Sequence, residues 1–269
     1  MAGPEGWEDL VGGRDDNFDD LQVIAPEPSE RTWSGPFRAI ASDNNSYFVK
    51  SLATCPLDEG ASLATERIVA QAGLLIGSPV CRTSLIRIPS EIAGYEVRPG
   101  VRLQEGLAHA SLAVDQAEMV RQRLGARASD DNASRHVGVY ALYDWCFGAD
   151  QQWLYDLEAD RTIFSHDHGL YLPPAGMGSW SIVGMRGVVD VPHVLPDPTT
   201  GLSASALMET ASALEAVDVA SLVPILNSIP ASWPVTDDEL AVVGWFLHRR
   251  AASVAARLRT LVEEGAADD

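Results

Sequence analysis

Short runs of alternating apolar and polar residues open the structured part of the chain. Residues 21–24 are typical of a short strand, and two further β-rich runs cover 36–41 and 46–52. The link between those two runs, 42–45, contains Asp and Asn, which tolerate the backbone geometry of a tight turn. The pattern therefore predicts an antiparallel hairpin whose second strand carries Lys50.

From residue 60 to residue 77 the apolar spacing changes from a period of two to a helical period. Gly77 and Pro79 end this predicted helix, and Glu66 lies inside it. Residues 81–88 are typical of another strand. We therefore predict a small N-terminal lobe over 21–97, built from a β-sheet and one helix.

The second half of the chain is mostly helical in pattern. Two short apolar runs separated by 158–161 predict a hairpin, and the Gly- and Pro-rich stretch 173–201 is expected to be mostly loop. Residues 98–111 are interpreted as a connecting segment. The predicted helices cover 115–124, 132–147, 204–216 and 237–263. The last begins with Thr236 and Glu239 at capping-box spacing. This arrangement predicts a helical C-terminal lobe over 98–265 that contains the hairpin.

Both ends of the chain differ from the rest in composition. Glycine and proline break any period in the first twenty residues, and closely spaced acidic residues there repel one another. We therefore expect a flexible acidic tail over 1–20 and a second, short tail over 266–269.

A formal net charge of −19 argues against the extended basic face that general nucleic-acid binding needs. No run of eighteen apolar residues is present, and the first residues lack the pattern of a secretion signal, so we expect a cytoplasmic protein without a membrane partner. Three cysteines without paired spacing suggest neither a disulfide framework nor a zinc site.

Arginine strongly outnumbers lysine among the basic residues: eighteen are arginine and one, Lys50, is lysine. Arginine presents a wide planar fork, whereas lysine is a point charge on a thin stem that reaches a phosphate oxygen and pairs with one carboxylate. The single lysine therefore marks a position where a compact ammonium is needed.

The order of charged residues along the chain adds a second signal. Lys50 ends a strand, Glu66 lies in a helix, Asp150 follows an apolar helix, and Asp167 follows a hairpin. This order of strand Lys, helix Glu, loop Asp and Asp-x-Gly is the order used in kinase-type phosphoryl transfer.

Between about residues 37 and 171 the chain resembles the HipA-like kinases, distant relatives of phosphatidylinositol 3- and 4-kinases. The resemblance rests on four motifs: Tyr47-Phe48-Val49-Lys50, Glu66 followed by Ile76-Gly77-Ser78-Pro79-Val80, Gly148-Ala149-Asp150-Gln151-Gln152, and Asp167-His168-Gly169. It implies an α+β, bilobal, protein-kinase-like fold with a small antiparallel β-rich N-lobe and a mostly helical C-lobe. It also implies ATP and Mg²⁺ as cofactors.

The resemblance also implies roles for individual residues. Lys50 would contact the nucleotide phosphates, and Glu66 would orient Lys50 through an ion pair. Asp150 would align the acceptor hydroxyl, and Asp167 would hold Mg²⁺. The acceptor would be a hydroxyl of a protein, on Ser or Thr, or of a small molecule.

Three departures from the family pattern qualify this interpretation. Tyr155 stands where the family has a metal-binding Asn, so we take Asp156 as a replacement metal ligand. No glycine-rich loop precedes the lysine strand, which leaves Ser34 and Gly35 as the candidate cover for the phosphates. The chain is also short, leaving a reduced C-terminal lobe.

Other readings of the same residues stay open. A degenerate nucleotide-binding pseudokinase that acts as a binding module is the main alternative. Lys50 and Glu66 could form an ordinary surface ion pair. Asp150 could be a loop carboxylate, and His166 with His168 could belong to a metal cluster, although zinc is less favoured than magnesium.

Overall fold

The computed structural model describes residues 3–28, 35–55, 60–177 and 180–268. Among the described residues, the N-terminal lobe contains one α-helix, α1, over Ala61–Leu75, and seven strands. The strands are β1 Val23–Pro26, β2 Phe37–Ala41, β3 Ser46–Lys50, β4 Thr83–Ile88, β5 Glu96–Arg98, β6 Val101–Arg102 and β7 Gly106–Leu112.

Five of these strands form one antiparallel sheet in the order β1-β2-β3-β7-β4. The predicted hairpin around residues 42–45 is confirmed, since β2 pairs with β3 and Lys50 ends the second strand. Residues 98–111 were predicted to connect the lobes, but β7 lies inside the sheet between β3 and β4. The N-terminal lobe therefore extends to Leu112 rather than ending at residue 97.

The C-terminal lobe combines a small sheet with five helices among the described residues. Its strands are β8 Ala117–Arg121, β9 Gln152–Asp156 and β10 Thr162–Ser165, in the order β10-β9-β8. Its helices are α2 Asn132–Trp145, α3 Ile182–Val188, α4 Ala204–Glu215, α5 Val219–Asn227 and α6 Asp237–Asp268. The hairpin of β9 and β10 was predicted, and so were α2, α4 and α6.

Two local predictions in this lobe were wrong, and one helix was missed. The predicted helix over 115–124 is strand β8, whose residues alternate between exposed and half-buried as a strand with one covered face requires. The described part of the stretch 173–201 is mostly loop, as predicted, and contains the short helix α3, whereas α5 was not predicted although an Asp218 capping box begins it. The backbone of 266–268 continues α6 instead of forming a tail.

The hydrophobic core is divided unequally between the lobes. A small cluster of buried residues from the N-terminal sheet includes Phe37, Val49 and Ile86. Helix α1 instead contributes Leu63 and Ile68 to a large cluster shared with the C-terminal helices. Helix α1 therefore packs as part of the large lobe, although it precedes most of the small lobe's strands.

Residues 3–22, called the N-terminal strap below, lie against both lobes. Trp7 is fully buried beside Gly244 of α6, where an added Cβ would come within 2.6 Å of the indole. Arg14 Nε pairs with Asp237 at 2.6 Å, and Arg87 of β4 pairs with Asp19. The described part of the predicted acidic tail is thus packed, because Trp7 and Val11 are buried while most of its carboxylates face solvent.

In the described part of the chain, no helix is both long and apolar enough to cross a membrane.

Candidate functional site

A cleft of about 660 Å³ lies between the N-terminal sheet and the small sheet of the C-terminal lobe. Its upper wall comes from adjacent strands, since Phe48 pairs with Ser111 and Lys50 pairs with His109 across β3 and β7. Directly opposed residues point to the same face of a sheet. All four side chains consequently line the cleft.

Lys50 is the central cation of the cleft and is 8% exposed. Its ammonium forms ion pairs with both Glu66 and Asp167. Burial by itself disfavours the charged form, but the two carboxylates outweigh it and raise the pKa of Lys50. The pair predicted between Lys50 and Glu66 is thus formed, and it is buried rather than on the surface.

Glu66 connects helix α1 to the turn that follows β10. Its Oε2 accepts the backbone N–H of His168 at 2.8 Å, while Oε1 accepts from Lys50. A Cβ at Gly169 would lie 3.1 Å from Oε1, so glycine there lets the turn approach the carboxylate. The helix, the lysine strand and the Asp-His-Gly turn therefore meet at one carboxylate.

Asp167 begins this turn in a left-handed conformation, with φ 56° and ψ 53°. Non-glycine residues adopt it at some energetic cost, so the surrounding contacts must hold it. Burial opposes ionisation of Asp167, yet the neighbouring Lys50 ammonium lowers its pKa well below the usual range. Asp167 is therefore an ionised carboxylate that faces the cleft.

The two histidines beside Asp167 do not form a metal cluster. His168 Nε2 lies 2.7 Å from Ser165 Oγ, and burial, followed by the charge of His166, lowers the pKa of His168 to about 3. Among the described residues, no group of three or more His, Cys, Asp or Glu side chains has metal-binding geometry. The zinc alternative therefore finds no support in the described structure.

Asp150 follows α2 in a left-handed conformation, φ 34°, and is exposed to the cleft. Gln152 Nε2 donates to Asp150 Oδ2 and lies 3.4 Å from Asp167 Oδ2. Gln152 is buried, and sequence analysis gave it no role. The one sequence feature that could have indicated a role for Gln152 was its position two residues after Asp150, at the start of a strand.

The floor of the cleft is formed by paired residues of β8 and β9. Arg121 lies opposite Gln152, Met119 opposite Leu154, and Ala117 opposite Asp156. The first two pairs and Ala117 line the cleft. The floor is polar next to Asp150, at Arg121 and Gln152, and apolar farther along the strands, at Met119 and Leu154.

The structure does not bring Asp156 to Asp167. Asp156 lies four positions after Gln152 along β9, which corresponds to roughly 13 Å of strand. Asp156 does not line the cleft, and its Oδ1 accepts the Glu158 N–H at 2.9 Å. The geometry therefore contradicts the predicted role of Asp156 as a metal ligand.

Tyr155, where the resembled family has a metal-binding Asn, points away from the cleft. It is fully buried, and its hydroxyl accepts the Gly125 N–H at 2.8 Å and donates to the Gly125 carbonyl at 3.1 Å. Alternation along β9 places position 155 on the face opposite Gln152. Any side chain at this position of the strand would face the core.

Of the two residues predicted to cover the phosphates, only Gly35 is among the described residues. Ser34 lies outside the described residues. Gly35 is described, with φ 55°, and packs closely between the Arg98 guanidinium and the Thr54 carbonyl. The next residue, Pro36, lines the cleft, whereas Gly35 does not.

A buried ionic network supports the loop that carries Asp150. Asp144, near the end of α2, accepts from Arg250 at 2.9 Å and from Arg257 at 2.7 Å. Arg250 also donates to the Trp145 carbonyl at 3.0 Å. His193 stacks on Phe147 with ring centroids 3.9 Å apart and bonds to the Gly148 carbonyl. These contacts fix the backbone immediately before Asp150.

The available oxygen ligands suit a hard divalent ion that is shared with a phosphate ligand. Mg²⁺ prefers oxygen and is usually bound through one or two carboxylates together with substrate phosphates. Asp167 supplies one carboxylate, whose Oδ2 lies 3.4 Å from the donating amide nitrogen of Gln152, and Asp150 presents a second carboxylate to the same cleft. The donor set fits a nucleotide-bound Mg²⁺ better than an all-protein metal site.

Comparison with solved structures identifies the architecture. The proinflammatory kinase CtkA of Helicobacter pylori matches with a TM-score of 0.58 and 11% identity, over 92% of this chain and 98% of that chain. Two structures of the Golgi casein kinase, one with Mn/ADP bound, match at 10% identity with TM-scores of 0.49 and 0.47. They cover 97% and 94% of this chain and 76% and 74% of theirs.

No protein-family model matches the chain, and no curated protein sequence matches it either. The resemblance to HipA-like kinases consequently stays a prediction. The bilobal α+β architecture is that of protein kinases, as the sequence predicted. At 11% identity the similarity to CtkA establishes this fold alone.

Proposed function

We propose that this protein is an ATP- and Mg²⁺-dependent kinase that phosphorylates a hydroxyl group of a protein or small-molecule acceptor. One observation carries the proposal: the only lysine of the chain bridges Glu66 and Asp167 inside a cleft whose opposite wall presents Asp150. A kinase site requires a cation for the phosphates, a carboxylate for the metal and a carboxylate for the acceptor in this relation.

The rest of the cleft supports a nucleotide as the ligand. Phe48 is 47% exposed on the upper wall, and Met119 and Leu154 lie on the floor. An aromatic ring above and apolar side chains below suit a flat base, because stacking and burial both favour it. In this arrangement the phosphates extend toward Lys50.

The proposed reaction forms a bond between the acceptor oxygen and the γ-phosphorus of ATP, and breaks the bond to the bridging oxygen, which leaves with ADP. Asp150 orients the acceptor hydroxyl and takes its proton. Lys50 holds the phosphates, and Glu66 holds Lys50. Asp167 would hold Mg²⁺, which when bound neutralises charge on the phosphates. Gln152 keeps Asp150 and Asp167 in a fixed relation.

The proposal is tested by comparing Asp150→Asn, Asp167→Asn and the matched control Asp156→Asn. We expect Asp150→Asn to keep Mg²⁺-dependent thermal stabilisation by ADP and to lose ATP turnover by at least a hundredfold. Asp167→Asn should lose both. Asp156→Asn should change neither, because Asp156 lies outside the cleft.

Absence of any stabilisation of the wild type by ADP or ATP, with or without Mg²⁺, would contradict the nucleotide site itself.

A second candidate function is a nucleotide-binding pseudokinase. It is favoured by the burial of Tyr155, which leaves the cleft without the second metal-binding side chain of the resembled family. Stabilisation by Mg²⁺ and ADP without phosphate transfer by the wild type would support this candidate.

A further inference from the structure

The cations that line the cleft differ in how they are paired. Lys50 is neutralised by two carboxylates. Arg38 Nη2 pairs with Asp115 at 3.2 Å, and its Nε donates to Ser46 Oγ at 2.7 Å. Arg121 is exposed, and its side chain has no ion-pair or hydrogen-bond partner among the described residues. An unpaired arginine in a cleft is notable in a chain of net charge −19.

The position of Arg121 is defined by strand register. It ends β8 directly opposite Gln152, so the two side chains point to the same face and their Cα atoms are roughly 4.5–5.5 Å apart. Gln152 in turn donates to Asp150. The apolar positions Ala117 and Met119 lie farther along the strand, below the proposed base. Arg121 therefore lies at the end of the floor that adjoins Asp150.

We propose that Arg121 binds an acidic side chain of a polypeptide acceptor, next to the hydroxyl that Asp150 orients. This inference rests on the proposed kinase function and narrows its acceptor to Ser- or Thr-containing segments flanked by Asp or Glu. The planar guanidinium presents paired donors that match a carboxylate, and partial exclusion of water inside a cleft strengthens such a contact.

The overall charge and the local charge act in opposite directions here. The net field of the molecule repels an acidic segment at long range, and salt screens that repulsion. Arg121 attracts the segment at contact distance. The selectivity therefore belongs to this one position, and changing it should alter acceptor choice without altering nucleotide binding.

The test uses two synthetic serine peptides that differ only in their flanking residues, all Glu or all Lys. We expect the wild-type protein to phosphorylate the Glu peptide with at least a tenfold higher kcat/KM. Arg121→Gln should raise the KM for the Glu peptide about tenfold and leave the KM for ATP unchanged, and Arg121→Lys should restore part of the loss. Arg121→Glu should shift preference toward the Lys peptide.

Arg123→Gln is the matched control, since Arg123 is also exposed and lies two residues along the chain but does not line the cleft. It removes the same charge from the net field and should leave peptide preference unchanged. An equal loss in both arginine variants would overturn the proposal in favour of a general charge effect. A raised KM for ATP in Arg121→Gln would reassign Arg121 to the nucleotide.

A wild-type preference for the Lys peptide would also overturn the proposal. So would transfer to neither peptide by a protein that is still stabilised by Mg²⁺ and ADP. In that last case the proposed nucleotide site would stand while the acceptor assignment failed, so the two proposals are separable.

Discussion

Lys50 owes its position to two carboxylates, a buried one on α1 and a half-buried one in the turn after β10. Glu66 is 2% exposed on a helix that packs with the large lobe, and Asp167 begins a turn of that lobe. Neither acid would be stable there as an anion without a cation close by. The single lysine is thus structurally necessary in addition to its proposed phosphate contact.

Replacing Lys50 should make stability depend on pH in a new way. In the wild type the pKa of Asp167 is lowered, so its stabilising contribution is present above the unfolded-state pKa of about 3.9 and is lost only as the pH falls below that value. In Lys50→Met the buried Glu66 and the half-buried Asp167 are left next to each other without a cation, which raises their pKa values. The variant should lose about 3–5 kcal/mol at pH 7 and less at pH 5.

Chemical denaturation of both proteins at pH 7 and pH 5 measures this difference. Arg259→Met serves as a control, because it breaks an exposed pair with Glu215 and should produce little change at either pH. A difference between wild type and Lys50→Met that stays constant over this pH range would show that the carboxylates are not electrostatically coupled to Lys50.

Four proposed site residues could be chosen from the sequence, and others could not. Lys50, Glu66, Asp150 and Asp167 follow a recognisable chain order, and the structure brings all four to one cleft. Gln152 and Arg121 depend on the register between β8 and β9, which the sequence did not reveal because β8 was predicted as a helix. Asp156 was chosen because it follows Tyr155, the position of the family's metal-binding Asn, and its distance along β9 places it outside the cleft.

At the scale of elements, the strap shows how composition can mislead. Its density of acidic, Gly and Pro residues is typical of a disordered segment, yet Trp7 and Val11 are buried in the large core. Those two apolar residues were the sequence feature that could have indicated a packed segment. What sequence alone could not supply was their complementary surface, since Gly244 leaves room for the indole from more than two hundred residues away.

Truncation of Trp7 should therefore be costly. Trp7→Ala removes a fully buried indole and should lower the free energy of unfolding by about 3–5 kcal/mol. Leu10→Ala, in the same segment, removes a side chain that is 39% exposed and should have a much smaller effect. Urea denaturation of the two variants measures the contrast, and equal, small losses would indicate that the strap does not pack on α6.

At the scale of the whole molecule, charge imbalance opposes compactness. The chain has 38 acidic and 19 basic residues, so long-range repulsion outweighs attraction. The Debye length falls from about 30 Å at 0.01 M salt to about 8 Å at 0.15 M, which screens repulsion between distant charges. Ion pairs such as the buried Asp144 network are screened much less.

Thermal stability should consequently increase with salt. We expect the unfolding midpoint to rise by a few degrees between 10 mM and 150 mM NaCl, as followed by circular dichroism. The combined variant Glu5→Gln, Glu8→Gln and Asp9→Asn removes three exposed charges of the strap and should show a smaller rise. A midpoint that falls with salt would mean that surface ion pairs dominate over net repulsion.

The division of the core separates the strand that carries Lys50 from the elements that carry its two carboxylate partners. Helix α1 belongs to the large lobe, where Trp180 Nε1 donates to Thr65 at 2.6 Å and Arg67 donates to Ser228. The sheet that carries Lys50 has its own small core. A tilt of the sheet that widened the cleft would separate Lys50 from Glu66 and Asp167 together, so these two ion pairs oppose such an opening.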